Sequence, residues 1–416
     1  MHWFAGLFVL LLVASTLTRS WLNQRQVAAV QRHRDEVPEA FRAQIDLAAH
    51  QKAADYTVAS AQIGRWDNLL DAALALLLTL GGGLSAIDSA WQAAQLPAVW
   101  HGTVVVLSTF LLVSLIGLPL SLWRTFGVEA RFGFNRMTVG LFIADLFKGL
   151  LLGLLLGGPL VFVILLLMER AGSLWWLYAW FVWLAFTVLI TWAWPTLIAP
   201  LFNKFTPLSD EALRQRAEAL LQRCGFSSRG VFVMDGSRRS VHGNAYFTGV
   251  GRSKRIVFFD TLLERLQVAE VEAVLAHELG HFRLHHVRWR LVLSLAFGLL
   301  GLALLGFLAQ WPDFYRAFGI GTPSPHAALL LFVFVLPVFT YFTTPLGAWW
   351  SRKHEFEADE FAAKFADARQ LAEALVKLYR DNATTLTPDR LHSAFYDSHP
   401  PALVRISRLQ QLAART

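Results

Sequence analysis

The sequence has little cysteine and few charged residues for its length. Cys224 is the one cysteine among 416 residues, so an internal disulfide and a cysteine zinc cluster are both excluded. Charged residues make up 16% of the chain and hydrophobic residues 55%, a balance too apolar for two or three soluble domains. We therefore expect a membrane protein, in which Cys224 packs as a small hydrophobe.

A basic patch interleaved with aromatic residues is also missing. The net charge of +7 comes instead from Lys and Arg concentrated in particular loops, which is typical of membrane topology. No nucleic-acid partner is expected.

Seven apolar runs predict membrane spans, each of which needs roughly 20 residues to cross a hydrocarbon core of about 30 Å. No basic stretch precedes the first run and the cleavage pattern after it is unconvincing, so an uncleaved span is expected there, not a signal peptide. The runs are Trp3–Leu17, Leu69–Ile87, Thr103–Trp123, Val139–Met168, Leu174–Leu197, Leu291–Leu308 and Ala327–Trp350.

Basic residues occupy alternate loops between these runs, which predicts an N-terminus outside and a cytoplasmic C-terminus. The expected fold is mainly α, with seven spans and a small α+β insert that contains a short β-hairpin. The expected regions are a five-span N-terminal part over 1–200 with a polar helical loop over 19–67, a cytoplasmic insert over 201–290, two spans over 291–350, and a cytoplasmic helical region over 351–416.

Three short β-rich runs lie in the insert: Val231–Met234, Asn244–Thr248 and Arg255–Phe259. Gly249–Ser253 has the composition of a hairpin loop between the last two. The strand that contains Asn244 is either an edge that receives an extended peptide by β-addition or a structural hairpin. Spacing alone leaves both alternatives open.

Helix signals surround these strands. Ser209 with Asp210 and Glu211 predicts a helix start, and Gly225 predicts its stop after Cys224. Thr261 and Glu264 have the spacing of a capping box that opens the stretch toward the next helix.

That next helix carries the strongest chemical motif. His277 and His281 are four residues apart, so both imidazoles lie on one helix face about 5–6 Å apart and can reach one Zn²⁺ at roughly 2.0–2.1 Å. Glu278 then lies beside the metal, where a general base takes a proton from a water molecule at the zinc. A carboxylate buried between two histidines is costly without a cation.

A catalytic zinc needs a third protein ligand and keeps one position open. Glu355 and Asp359 are four residues apart just after the last apolar run, so one can bind the metal while the other accepts the second N–H of a ligand histidine. Glu357 points to another face and is the weaker candidate. A solvated acidic helix face is the alternative.

Three further histidines and three intramembrane charges are candidates for a role in the site. His285 and His286 continue the line of the motif and are expected at the membrane interface. His399 precedes two prolines, so it is either structural or a donor to the oxyanion of a tetrahedral intermediate. Asp71, Asp145 and Lys148 fall near the ends of apolar runs, where an interfacial position or an Asp145/Lys148 pair is favoured over catalysis.

Several segments in this order resemble the type 1 CAAX prenyl endopeptidase family of seven-span zinc metalloproteases. The resemblance covers nearly the whole chain. The segments are Glu129-Ala-Arg-Phe-Gly-Phe-Asn135, Ala199-Pro-Leu-Phe-Asn-Lys-Phe-Thr-Pro207, Asn244-Ala-Tyr-Phe-Thr-Gly249, His277-Glu-Leu-Gly-His281, Glu355-Phe-Glu-Ala-Asp359 and Ser398-His-Pro400.

The resemblance implies seven helices around a water-filled chamber and one Zn²⁺ per chain. It also implies structural salt bridges for Arg352 and Arg405. The site residues that it implies are His277, His281 and Glu355 as zinc ligands, Glu278 as base, Asp359 behind a ligand, His399 as transition-state stabiliser, and Asn244, Ala245 and Tyr246 as the strand that holds the peptide.

The expected function is a zinc endopeptidase that cuts near the C-terminus of CAAX-type substrates. Its partners are a peptide or protein C-terminus, with or without an attached lipid, and the lipid bilayer. A bacterial inner membrane is the expected location, with the site toward the cytoplasm, and the endoplasmic reticulum membrane is the expected location if the protein is eukaryotic. The alternatives are a membrane-protein quality-control zinc protease without prenyl specificity, and a transporter or lipid-binding protein with a structural metal.

Overall fold

The protein is largely helical in a computed structural model that describes residues 2–226, 230–248 and 255–415. The first eight helices are α1 Trp3–Arg32, α2 Leu47–Leu78, α3 Gly83–Gln92, α4 Ala98–Leu122, α5 Val139–Leu152, α6 Gly158–Arg170, α7 Trp175–Ala193 and α8 Ala199–Phe202. The remaining ten are α9 Glu211–Arg223, α10 Asp260–Leu263, α11 Val268–Arg283, α12 His286–Leu308, α13 Pro312–Ala317, α14 Pro325–Thr340, α15 Thr344–Phe365, α16 Ala368–Asp381, α17 Arg390–Tyr396 and α18 Ala402–Ala413.

Six helical runs in the described part of the chain are long and apolar enough to cross a membrane. A seventh is formed by α2 and α3, which pass the same test together as a pair bent by 55°. The predicted second span, Leu69–Ile87, falls on this bent pair, so the expected seven spans are present when the pair counts as one. The six runs are Trp3–Arg32, Ala98–Glu129, Val139–Arg170, Gly172–Phe202, His286–Leu308 and Pro325–Phe365.

Two glycines make the bend between α2 and α3. Gly82 has φ of +75°, a left-handed conformation that glycine adopts at little cost. A Cβ on Gly81 would lie 2.7 Å from the carbonyl oxygen of Leu77, closer than van der Waals contact allows. The chain can therefore turn here only with glycine.

Much of the polar stretch over 19–67 is helical, because α1 continues to Arg32 and α2 begins at Leu47. The two helices pair along their length. The Asn23 side-chain amide donates to the Ala61 carbonyl at 2.9 Å, and Arg34 pairs with Asp55 at 2.8 Å. The pair places polar helix surfaces next to the site described below.

The insert contains a four-stranded sheet in the order β1-β2-β4-β3. β2 and β4 are parallel, and the other two pairings are antiparallel. The three predicted strands are present, whereas β1 was missed because three residues ending in proline show no alternation. The predicted hairpin loop, Gly249–Ser253, lies outside the described residues. The strands are β1 Phe205–Pro207, β2 Val231–Met234, β3 Ala245–Thr248 and β4 Arg255–Phe259.

The predicted helix start at Ser209, Asp210 and Glu211 is confirmed, since α9 begins at Glu211 and the Asp210 carboxylate caps it by accepting from the Leu213 N–H at 3.0 Å. The second predicted helix start is corrected. The capping box of α11 is formed by Gln267 and Glu270. Thr261 and Glu264 were the wrong pair, since Thr261 lies in the short α10 and its hydroxyl donates to the His242 carbonyl. Gly225, with φ of +73°, follows α9 as expected.

α11 and α15 pack closely against each other. A Cβ on Gly280 would lie 3.1 Å from the Cα of Ala358, so the glycine of the histidine motif lets the two backbones approach. Around them the strands and α9, α16 and α18 form one buried core. This packing brings α15, which continues the last membrane span, against the histidine helix.

Candidate active site

Three side chains from α11 and α15 converge at the end of the last span. His277 Nε2 lies 3.2 Å from His281 Nε2. Glu355 Oε2 lies 3.4 Å from His277 Nε2, and its Oε1 lies 3.3 Å from His281 Nε2. His277 and Glu355 are buried, and His281 is half-buried. The three residues form a group able to hold a metal ion.

The spacing of this group suits one metal ion held by both imidazoles and the carboxylate. The two Nε2 atoms are 3.2 Å apart, and Glu355 turns one oxygen to each of them, Oε2 at 3.4 Å and Oε1 at 3.3 Å. These separations are close to the roughly 3.4 Å expected between ligand atoms of a tetrahedral zinc site. Glu355 Oε2 is buried and lacks a hydrogen-bond partner among the described residues. The Arg405 guanidinium lies 3.5 Å from this oxygen, and two imidazoles with one carboxylate are a donor set that suits Zn²⁺.

Glu278 lies beside the group on α11. No hydrogen bond to its carboxylate is found within the described residues, so its oxygens remain free for a water molecule. Burial raises the pKa of Glu278, against the opposing effect of His277 and His281. A carboxylate with a raised pKa is a better proton acceptor near neutral pH.

Behind His277 lies a buried ion pair. His277 Nδ1 is 2.8 Å from Asp359 Oδ1, and Arg405 makes two hydrogen bonds with the same carboxylate at 2.9 and 2.8 Å. Burial and Arg405 oppose protonation of His277, but the hydrogen bonds to Asp359 and Glu355 outweigh them and raise its pKa to about 9. The salt bridge expected for Arg405 is therefore present, with Asp359 as its closer partner at 2.8 Å and Glu355 as a second at 3.5 Å.

Behind His281 lies a residue whose position was predicted wrongly. His286 was expected at the interface, but it is buried and its Nδ1 lies 3.0 Å from His281 Nδ1. Its Nε2 is 3.0 Å from Glu357, and its ring stacks on His354 with centroids 3.9 Å apart. His285 has φ of +60° and lies between the end of α11 and the start of α12. The change of chain direction at His285 turns the His286 side chain back to the site. Histidine is enriched at left-handed positions, but one such residue does not predict a turn.

His399 faces the group from the loop between α17 and α18. Its Nε2 lies 3.5 Å from Glu355 Oε2, and its Nδ1 lies 3.1 Å from the Ser398 hydroxyl. Arg352 holds this loop by donating to the Asp397 carbonyl at 2.7 Å and the Ser393 carbonyl at 3.1 Å. The expected salt bridge of Arg352 is thus replaced by hydrogen bonds to backbone.

The predicted substrate strand is the edge strand β3. Asn244 is exposed just before it, Ala245 is buried, and Tyr246 is half-buried. The Asn244 carbonyl accepts from the Phe259 N–H at 3.0 Å, so alternation along an antiparallel ladder turns the backbone of Ala245 toward the open edge. Ala245 shares the buried core with α11, which places this edge next to the histidine helix.

The intramembrane charges lie apart from the metal-binding group. Asp145 does lie 3.8 Å from Lys148, but its closer partner is Arg239, which makes two hydrogen bonds with it. Lys148 donates to the Leu201 carbonyl at 2.8 Å. Asp71 lines a cavity of about 180 Å³ between α1, α2, α4 and α14.

Comparison with known proteins covers both halves of the chain. Residues 26–204 match the family model described as the CAAX prenyl protease N-terminal region with five membrane helices. Residues 207–413 match the model of peptidase family M48.

Relatives and a solved structure agree with these matches. The CAAX prenyl protease 1 homolog of Arabidopsis thaliana is 39% identical over 70% of this chain and 68% of that protein. CAAX prenyl protease 1 of Saccharomyces cerevisiae is 32% identical over 97% and 94%. The crystal structure of S. mikatae Ste24p superposes with a TM-score of 0.90 at 30% identity, over 97% and 98% of the two chains.

These relatives are eukaryotic, so the bacterial origin expected from the sequence stays a prediction. The rival class of transporter or lipid-binding protein finds no support, because both halves of the chain match peptidase models. The protein is an integral membrane metalloprotease, and the chain belongs to the CAAX prenyl protease family within peptidase family M48.

Proposed function

We propose that this protein is a zinc-dependent endopeptidase that hydrolyses a peptide bond near the C-terminus of CAAX-type substrates. The observation that carries the proposal is the convergence of the His277 and His281 Nε2 atoms and the Glu355 carboxylate at separations of 3.2 to 3.4 Å, with the Glu278 carboxylate beside them. The names of the relatives supply the substrate class.

In this proposal each residue near the site has one task. His277, His281 and Glu355 hold one Zn²⁺, and the ion when bound polarises a substrate carbonyl and acidifies water. Glu278 takes a proton from the attacking water and passes it to the leaving amine. Asp359 and His286 keep the ligand imidazoles oriented through their outer nitrogens.

Two further elements complete the proposed site. His399, 3.5 Å from Glu355, donates a hydrogen bond to the oxyanion of the tetrahedral intermediate. The open edge of β3 at Asn244, Ala245 and Tyr246 receives the substrate backbone as an added strand. In this pairing β3 hydrogen-bonds to the substrate backbone and not to its side chains. Substrates with different C-terminal sequences can therefore bind in the same way.

The proposed orientation places the site in the cytoplasm, since the basic loops lie on the side that carries α9 to α11 and α15 to α18. A prenyl group on the substrate would then enter from the same membrane leaflet. Whether a lipid is needed is measurable with matched peptides that carry or lack a farnesyl group.

Glu278→Gln tests the proposal most directly. The variant should keep its zinc and lose cleavage of a CAAX-type peptide by at least about 10³-fold, since proton transfer and water orientation are both removed. The measurements are metal content by mass spectrometry and cleavage rate in detergent or proteoliposomes.

Glu272→Gln is the matched control, because Glu272 lies on the same helix but pairs with Arg216 and Arg223 on its other face. This variant should cleave at the wild-type rate. A Glu278→Gln protein that is loaded with zinc and still active would refute the assignment of the base.

A further inference from the structure

The segment that leads into β3 is held from several sides. Arg239 makes two hydrogen bonds with Asp145 of α5, at 2.9 and 3.1 Å, and a third with Asn203 at 2.8 Å. Its carbonyl accepts from the Arg136 N–H at 3.0 Å. Residues 239–241 are thus fixed against the cytoplasmic-side ends of two membrane helices.

The segment Glu129–Asn135, which the resemblance singled out without a role, forms the next contact. The Val241 N–H donates to the Phe134 carbonyl at 3.1 Å, and Asn135 and Ser240 form an isolated antiparallel bridge. The Phe134 ring packs on His242 with centroids 4.6 Å apart. A backbone ladder therefore joins this motif to the residues just before β3.

Glu129 adds a polar link to the same place. Its Oε2 lies 3.4 Å from His242 Nε2, and its Oε1 accepts from the Tyr56 hydroxyl at 2.5 Å. Tyr56 belongs to α2, so one carboxylate connects two membrane-proximal helices to His242. It takes part in neither the metal-binding group nor its surrounding hydrogen bonds.

Asn382 holds the following residue from the opposite side. Its Oδ1 accepts from the Gly243 N–H at 3.1 Å, and its Nδ2 donates to the Gly243 carbonyl at 3.3 Å. The same Oδ1 lies 3.3 Å from His242 Nδ1. The Asn382 amide thus hydrogen-bonds to both backbone groups of Gly243. It thereby fixes the position and direction of β3, which begins two residues later.

We propose that Glu129 and Asn382 are positioning residues for substrate binding: they brace His242 and Gly243 so that the open edge of β3 is set at the distance from His277 and His281 that an added substrate strand requires. This inference rests on the proposed function of β3. It assigns a task to the Glu129 motif, which lies about 150 residues before the histidine helix in the chain.

The test measures kcat and KM of Glu129→Gln and Asn382→Ala with a CAAX-type peptide. Each variant should raise KM about tenfold, the equivalent of one or two lost hydrogen bonds. Their kcat should stay within about twofold and their zinc content should be unchanged, because uniform binding is lost and not transition-state stabilisation. Glu211→Gln is the control, since Glu211 pairs with Arg214 and Gln215 on the exposed face of α9.

A second substrate series separates this inference from the proposed function. The same peptide carries one backbone N-methyl group, placed in turn at each position before the scissile bond, so that pairing with a strand is blocked at one amide. In the wild type at least one N-methylated peptide should show a raised KM. For that peptide the KM of the two variants should differ little from the KM of the wild type. The N-methyl group already removes the backbone hydrogen bond to β3 that the two substitutions weaken.

The outcomes are distinct. If no N-methyl group affects the wild type, β3 does not bind substrate and that part of the proposed function fails. If the wild type is sensitive but both variants keep wild-type KM, the bracing inference is wrong. A fall in kcat or in zinc content with KM unchanged would also overturn it, because the residues would then support the metal site. Two variants on separate elements guard against one that fails to fold.

Discussion

The described residues contain three clusters of two histidines and one carboxylate. One of them, His286, His354 and Glu357, lies behind His281, and the other two lie at opposite ends of the last membrane span. Of these two, the first is the metal-binding group of His277, His281 and Glu355. The second joins Asp88 of α3, His101 of α4 and His326 at the start of α14. The same residue types thus occur where the span begins and where it continues into the active site.

Distances separate the two clusters. In the second cluster both imidazoles point an Nε2 at a single oxygen, Asp88 Oδ1, at 2.7 and 2.8 Å. These are hydrogen-bond lengths, shorter than the 3.2 to 3.4 Å edges of the first cluster. In the second cluster Asp88 Oδ1 is hydrogen-bonded by both rings, whereas in the first the buried Glu355 Oε2 has no hydrogen-bond partner in the part of the chain that the structure describes.

The surroundings of the imidazoles differ as well. In the first cluster the outer nitrogens face Asp359 and His286, the arrangement that orients metal ligands. In the second, a Cβ on Gly102 would lie 3.0 Å from His326 Nδ1, so a helix backbone approaches that ring. The comparison teaches that ligand types alone do not make a metal site. Their spacing and the groups behind them decide between a metal and a helix clamp.

The largest test of this comparison removes one carboxylate from each cluster. Glu355→Gln should lose the zinc and reduce peptide cleavage by at least about 10³-fold, because a catalytic zinc site needs all three protein ligands. Asp88→Asn, the matched change, should keep one zinc per chain and wild-type cleavage. Metal analysis by mass spectrometry and a peptide cleavage assay measure both. Loss of zinc from the Asp88 variant would contradict the conclusion, drawn from the distances, that the Asp88 cluster binds no metal.

A smaller effect is expected behind the metal ligands. His286→Asn should weaken zinc binding about 10-fold to 100-fold, since the outer nitrogen of His281 loses the partner that orients it. His285→Asn is the matched control, because His285 is exposed and asparagine tolerates its left-handed backbone. Zinc release to a competing chelator measures both. Equal release rates in the two variants would remove His286 from the site.

The first cluster was predictable from sequence and its surroundings were only partly so. His277 and His281 are fixed by helix geometry, and the i, i+4 pair Glu355 and Asp359 points to a ligand and its neighbour. His286 was placed wrongly, because the enrichment of histidine at left-handed positions is too weak to mark His285 as a turn. Arg405 came from the resemblance, since no local pattern links it to Asp359.

The second cluster could not be predicted at all. Asp88, His101 and His326 come from three helices, and long-range contacts of single residues leave no periodic signal. The fold was more accessible, because apolar runs predict spans directly. What the runs do not encode is the bend at Gly81 and Gly82, which divides the second span and places Asp88 on a short helix of its own.

The smallest effect is expected from breaking the second cluster. Asp88→Ala removes the shared acceptor of His101 and His326, so the free energy of unfolding should fall by about 1–3 kcal/mol while zinc content and kcat stay at wild-type values. His101→Gln removes one of the two hydrogen bonds and should cost less. Because one oxygen serves both rings, adding His101→Gln to Asp88→Ala should cost almost nothing more, and a double-mutant cycle from denaturation in detergent measures this coupling. Additive losses would mean that the rings act separately and that the cluster is not a clamp.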